Sequence, residues 1–187
     1  MEQQIAHEQD RVDGSLLAPG ERPSLFPSWY AVSVRPRYEK LVSRYLDQRG
    51  LHHFLPTFRT VRRWKDRRKE LNMVLFPGYV FVNIDALDHV GVLQAPGVLR
   101  FMTFQGHLAA LPTSEIRALA LSYSAGLHPQ PHPYLRAGAK VRVTRGPLSG
   151  AEGVVIRRKE RFRLVLSIHL IMRSVMLDID EADVEAL

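Results

Sequence analysis

Seven basic side chains stand within residues 58–70, at Arg59, Arg62, Arg63, Lys65, Arg67, Arg68 and Lys69, against only Asp66 and Glu70. A cluster of that density either keeps a surface loop solvated or contacts the phosphates of a nucleic acid. Trp64 lies inside the cluster and offers a ring on which an unpaired base can stack, which favours the second. Arg35 and Arg37 follow a short apolar run and extend the same basic character. The chain of 187 residues carries a formal charge of +7, unevenly spread: residues 1–28 sum to −3, residues 29–134 to +7 and residues 135–187 to +3. An anionic partner, exposed DNA or RNA, is therefore expected. Its contacts are read as Arg35, Arg37, Arg62, Arg63, Lys65, Arg67 and Arg68.

Covalent and metal chemistry have little to work with. There are no cysteines, which excludes disulfides, thiolate zinc sites, iron–sulfur clusters and thiol nucleophiles. Of the eight histidines, His52 and His53 are adjacent and in a strand would face opposite ways. His128 and His132 are surrounded by prolines that forbid the helix needed to align them. Ser149 sits in Gly-Pro-Leu-Ser-Gly rather than in a hydrolase elbow, and neither phosphate-cradling glycine motif occurs. No catalytic residue, metal site or cofactor is assigned, and an enzyme is not expected. The longest apolar stretch, Met73–Val82, is broken by Pro77 and Gly78 and falls well short of the ~20 residues a spanning helix needs. The N-terminus MEQQIAHEQD lacks the basic and apolar regions of a secretory signal, so a cytoplasmic monomer without a membrane partner is expected.

The elements that must position the basic cluster follow from hydrophobic period. Residues 1–28 are acidic, proline-containing and without apolar period, and read as a flexible tail. Trp29–Val34 is a short run of β-formers, hence a buried strand. Tyr38, Leu41, Val42, Tyr45 and Leu46 fall on one face of a helix that Gly50 would stop. His53–Thr60 and Lys69–Leu75 read as the two sides of a hairpin around the charged tip. Phe76-Pro77-Gly78 is a turn and Tyr79–Ile84 a second buried strand. A short helix over 86–94, a strand over 98–103, and a helix capped by Thr113 and running to Ala125 complete an α+β sandwich with a mostly antiparallel sheet. Residues 126–134 hold three prolines and read as an extended spacer. Beyond it, Lys140–Val143, the Gly146–Gly150 turn and the β-branched run from Val154 to Ile156 predict a small β-barrel over 135–187. That gives two domains, 29–125 and 135–187, on a linker.

Three stretches, in this order, resemble the NusG family of transcription elongation factors: Trp-Tyr-Ala-Val-Ser-Val from Trp29, Phe-Pro-Gly-Tyr-Val-Phe-Val from Phe76, and residues 138–155, which resemble the family's KOW motif with Gly153 in the place of its characteristic glycine. The resemblance implies an N-terminal NGN domain that binds the clamp of the largest RNA polymerase subunit, followed by an SH3-like KOW barrel. Strand alternation sends Tyr79 and Phe81 to the face opposite Val80 and Val82, and if no helix covers that face the two rings make a partner anchor. By resemblance, Tyr79 and Phe81 grip the polymerase, together with Phe76 and Tyr30.

The second domain departs from the general members of the family. Where these carry a Phe-Gly-Arg run, the chain reads Ser167-Ile168-His169-Leu170-Ile171-Met172-Arg173, so that His169 replaces the aromatic residue. Ile168, His169 and Leu170 are the expected partner-binding residues of the barrel, for a ribosomal protein or another factor. The departure resembles the specialised antiterminator paralogues that suppress pausing and termination on long operons. The competing readings are a general factor coupling polymerase to Rho or the ribosome, and a KOW-type RNA-binding module.

Overall fold

The computed structural model describes residues 27–64, 67–85, 88–135, 138–158 and 161–187. The first apolar run forms β1 (Ser28–Val34) at the centre of an antiparallel sheet. It pairs with β5 (Tyr79–Ile84) on one side and with β6 (Val98–Phe101) and β9 (Ala110–Leu111) on the other. The short β2 (His53–Phe54) borders β5. Side chains alternate along each strand, and both faces of this sheet carry buried apolar residues. On one face, Tyr30, Val32, Val34, Val80, Val82 and Ile84 pack under α1 (Glu39–Gln48) and α2 (His89–Leu93), through Val42, Leu46 and Val92. On the other, Ala31, Phe81 and Leu111 share a cluster with Ile116, Ala118 and Leu119 of α3 (Thr113–Ser124). The α1 helix is fixed to the strand-entry turn by Glu39, which is 5% exposed and accepts the Gly78 N–H at 2.8 Å. Gly78 itself has φ +85°, a backbone that only glycine adopts readily.

The basic cluster does lie on a hairpin, but one whose first strand begins later and whose strands run further into the charged tip than the sequence predicts. Its strands are β3 (Thr57–Trp64) and β4 (Arg67–Val74), paired from Thr57↔Val74 to Trp64↔Arg67. His53 and Phe54 are not part of it, because Pro56 interrupts the run and its carbonyl accepts the Leu75 N–H at 2.9 Å, closing the hairpin base. A smaller hairpin, β7 (Thr103–Phe104) with β8 (His107–Leu108), precedes α3. Thr113 does not cap α3: it already has a place inside the helix, Pro112 holds the cap position, and no side chain satisfies the first N–H groups there.

The remaining strands form a second antiparallel sheet. They are β10 (Gln130–His132), β11 (Ala139–Val143), β12 (Glu152–Arg158), β13 (Arg161–Ile168), β14 (Arg173–Ile179) and β15 (Val184–Ala186), in the order β10-β14-β13-β12-β11-β15. Val141, Val143, Leu164, Leu166, Val175 and Leu177 fill its core. The strand β10 corrects the expectation of a bare spacer at 126–134, since Gln130, Pro131 and His132 pair with Met176, Val175 and Ser174. Prolines are tolerated there because β10 is an edge strand, where a missing N–H costs no ladder bond.

Candidate functional site

The four residues assigned to polymerase binding are not brought to one exposed surface. Phe81 is fully buried and Phe76 2% exposed, their rings stacked edge to face with centroids 5.5 Å apart. A helix does cover that face: α3 shares the cluster, which is why the exposed Tyr79–Phe81 pair is not found. Tyr30 is buried on the opposite face, edge-on to Phe101 at 6.1 Å, because it is in register with Val82. Tyr79 alone is half-buried and reaches the surface. Against the same cluster, Tyr123 on α3 stacks edge to face on Phe54 at 5.8 Å and donates to the Thr57 carbonyl at 2.6 Å. Burial pushes this phenol up to about 12. The bond holds the base of the basic hairpin to α3, a role that nothing in the local sequence signals.

Of the cations assigned to nucleic acid, Arg35 and Arg37 are exposed at the end of β1, with Arg37 in a left-handed backbone (φ 71°). The ladder of β3 and β4 sets Arg62 opposite Lys69, Arg63 opposite Arg68 and Arg67 opposite Trp64. Lys65 lies outside the described residues, and the same holds for the side chains of Arg62, Arg63, Arg67 and Arg68. Arg59 and Lys69, nearer the base, are exposed. Like charges in directly opposed positions weaken a ribbon by several tenths of a kcal/mol per pair, which an anion bound across them reverses. The register gathers cations suited to phosphate contact on one ribbon.

In the second sheet, Ile168 is buried, Leu170 half-buried, and only His169 projects into solvent, with its side chain 68% exposed. These three residues open a 3-10 turn that faces α3 of the first domain. Glu115, on the first turn of α3, accepts from His169 Nδ1 at 2.8 Å and from the His169 N–H at 3.3 Å, and Tyr134 meets the imidazole edge-on at 6.1 Å. A cavity of about 230 Å3 lies beside this contact, lined by Glu115, Ala118, Lys140, Gly153, Leu166 and His169 among others. In the first turn of α3, the Glu115 carboxylate also suits the positive end of the helix dipole. Its long-range partner could not be read from spacing.

The histidines have local roles instead. His52 packs against Trp29 with centroids 5.3 Å apart, while His53 is hydrogen-bonded to Ser43 Oγ at 2.7 Å and to the Leu51 carbonyl at 3.1 Å. Among the described residues, no three His, Asp or Glu side chains are grouped to hold a metal ion, and no helix is long and apolar enough to cross a membrane.

An α+β module that carries the cationic ribbon is followed by an all-β module whose His169 turn meets its last helix. Residues 27–120 match the family model described as transcription termination factor nusG, and the chain belongs to the NusG family, whose members are non-enzymatic transcription factors. It is 27% identical to the transcription termination/antitermination protein NusG of Pseudomonas aeruginosa over 173 residues, covering 84% of this chain and 97% of that one. Against the NusG of Escherichia coli strain K12 the identity is 28% over 172 residues, covering 84% and 94%. Among solved structures, one on domain interaction in Thermotoga maritima NusG is 20% identical, with a TM-score of 0.47, covering 86% of this chain and 97% of that one.

Proposed function

We propose that this chain binds the clamp of the largest RNA polymerase subunit in the cytoplasm, as a monomer, and favours continued elongation over pausing and termination. The observation that carries this reading is the family match together with an alignment to NusG proteins that runs through both modules. Tyr79, half-buried and packed against the cluster that holds Phe76 and Phe81, is the anchor. Arg35, Arg37, Arg62, Arg63, Lys65, Arg67 and Arg68 face the exposed non-template DNA or the RNA, where phosphate contacts position without specifying sequence. Preferential binding to the elongating state is sufficient, since a ligand shifts a two-state equilibrium by its differential affinity alone.

Ser167–Arg173 lacks the Phe-Gly-Arg run, and His169 is occupied by Glu115, which supports a specialised antiterminator over a factor coupled to Rho or the ribosome. The names of the relatives, which include both termination and antitermination, keep the general factor as the second reading.

The test is co-elution of the full chain with core polymerase on a sizing column, alongside Tyr79→Ala. Phe81 is left intact because its replacement would disturb the core. Co-elution of the wild type and its loss in a folded Tyr79→Ala variant support the assignment; a wild type that never co-elutes refutes it. In Rho-dependent termination assays, suppression supports the antiterminator and stimulation the general factor.

A further inference from the structure

The β3–β4 ribbon is a sheet of its own, paired with neither of the larger sheets. A lone two-stranded ribbon is marginally stable, so its direction must come from contacts at its base. Phe58 packs there against the cluster shared with α3, but apolar contact is non-directional. The directional contacts are two hydrogen bonds to backbone. Tyr123 on α3 donates to the Thr57 carbonyl on β3 at 2.6 Å, and Lys40 Nζ on α1 donates to the Asn72 carbonyl on β4 at 2.8 Å. The phase of the ladder explains why these two carbonyls are free. Leu75 N–H bonds to the Pro56 carbonyl, so counting along the rungs puts Phe58↔Met73 and Thr60↔Leu71 in bonded positions. Thr57↔Val74 and Arg59↔Asn72 then fall in the alternate positions, whose carbonyls turn outward. The two bonds therefore grip the ribbon from its opposite outer edges and take nothing from its ladder. Both donors stand on fixed elements: Glu39, beside Lys40, ties α1 to the Gly78 N–H, and the Tyr123 ring is held on Phe54.

We propose that Lys40 and Tyr123 are positioning residues, which together set the direction in which the cationic hairpin leaves the first module and so the path on which it meets phosphates. This rests on the reading of that hairpin as a nucleic-acid contact. From Thr57 to Trp64 the ribbon runs roughly 23 Å, at ~3.3 Å per residue. A tilt of about 10° at the base carries its far end roughly 4 Å, further than a hydrogen bond can stretch. Without the two bonds the ribbon samples several directions and only a fraction of the chains hold it in the binding one. Affinity then falls by that fraction, although no phosphate contact has been removed. Tyr123 is uncharged, so its effect cannot pass through phosphate pairing.

The experiment has two arms on the full chain, each comparing the parent with Tyr123→Phe, Lys40→Met and the double variant. Tyr123→Phe keeps the ring on Phe54 and Lys40→Met keeps most of the stem, and circular dichroism checks that each variant is folded. The chain has no cysteine, so spin labels on Val61→Cys and Gln48→Cys, both at exposed positions, report the distance from ribbon to α1 alone. The parent should give one narrow distance distribution and the double variant a broadened or displaced one. In the second arm, without labels, affinity for a labelled oligodeoxythymidylate is measured across a salt series. It should fall roughly two- to tenfold for each bond lost, with the slope of log affinity against log salt unchanged. Arg63→Ala/Arg68→Ala, which removes two cations of the ribbon, should instead lower that slope by about 1.4, at ~0.7 per contact on a single strand. An unchanged distance distribution in the double variant overturns the proposal, as does parental affinity in a double variant whose ribbon has moved. A slope lowered by ~0.7 in Lys40→Met overturns it for Lys40, which would then be a phosphate contact itself. Parental binding in Arg63→Ala/Arg68→Ala has a different meaning: the hairpin is not the contact, and the reading beneath the proposal fails.

Discussion

Replacing Gly153 with alanine separates two reasons a strand can require glycine. Gly153 does not have the positive φ found at Gly146 or Gly150, so backbone conformation is not what excludes a side chain. The neighbours do: a Cβ would stand 2.7 Å from the Val165 carbonyl oxygen, 2.9 Å from Leu164 Cδ1 and 3.3 Å from Leu166 Cδ2. The leucine methyls can give way, but the carbonyl belongs to β13, which is laddered on both sides to β12 and β14. Relief therefore means moving a central strand. Overpacking of this kind costs about 1–3 kcal/mol. For a chain of this size that is a melting temperature lower by roughly 2–12 °C, at ~2–4 °C per kcal/mol. Gly91, in the middle of α2, is the control. An added Cβ there meets Leu51 Cδ1 at an ordinary 3.6 Å, and alanine should be neutral or stabilise by up to ~1 kcal/mol. Thermal unfolding followed by circular dichroism, with amide exchange of β12 and β13, reads both. If Gly153→Ala melts within about 1 °C of the wild type, the tolerance of this fold for a Cβ has been misjudged and the close approach is not the reason for the glycine.

Glu115→Ala removes both bonds from α3 to the His169 turn; a partly exposed pair is worth up to about 1 kcal/mol, so the docked arrangement should lose up to roughly fivefold in population. Faster proteolysis between Ala125 and Pro129 in the variant would report it, and an unchanged cleavage rate would mean that apolar packing alone holds the modules together. Tyr123 has a folded-state pKa near 12, above the ordinary 10, so the folded chain keeps this proton longer than the unfolded chain. Its contribution to stability is intact below about pH 10 and is lost as pH rises toward 12; Tyr123→Phe should abolish one late step in the phenolate absorbance titration.

The first strand, α1 and the strand from Tyr79 were readable because each is a local pattern with its period intact. Even there the width of the buried face was overread: Val42 and Leu46 are buried, but Tyr38 and Leu41 are each 39% exposed, since the sheet contacts only part of the helix surface. The face of Phe81 was readable from alternation, but not its cover. Whether that face is open depends on α3, which begins more than thirty residues later. The strand Gln130–His132 escapes sequence reading because Pro131 within it, with Pro129 and Pro133 on either side, argues against a strand in general and permits one only at an edge, and edge status is a property of the finished sheet. His169 stood out by what it replaces, whereas Glu115 and Tyr123, which hold distant segments together through a carboxylate and a phenol, carry no signature that spacing could expose.

The strand β10 also sets the length of a leash. Because Gln130 is already laddered to β14, the connection between the modules is only the five residues 125–129, and the N–H groups of Ala125, Gly126 and Leu127 already bond back to the last turns of α3. Fully extended, that segment spans roughly 20 Å, at ~3.3–3.6 Å per residue. If α3 and the His169 turn part, the second module can swing but cannot stray. Its search volume is a shallow cap beside the C-terminal end of α3, and a factor it captures must be delivered within that cap. Inserting a flexible stretch after Gly126 would enlarge the cap while leaving both modules intact. What such a chain lost or gained would measure how much of its action depends on being kept on a short tether.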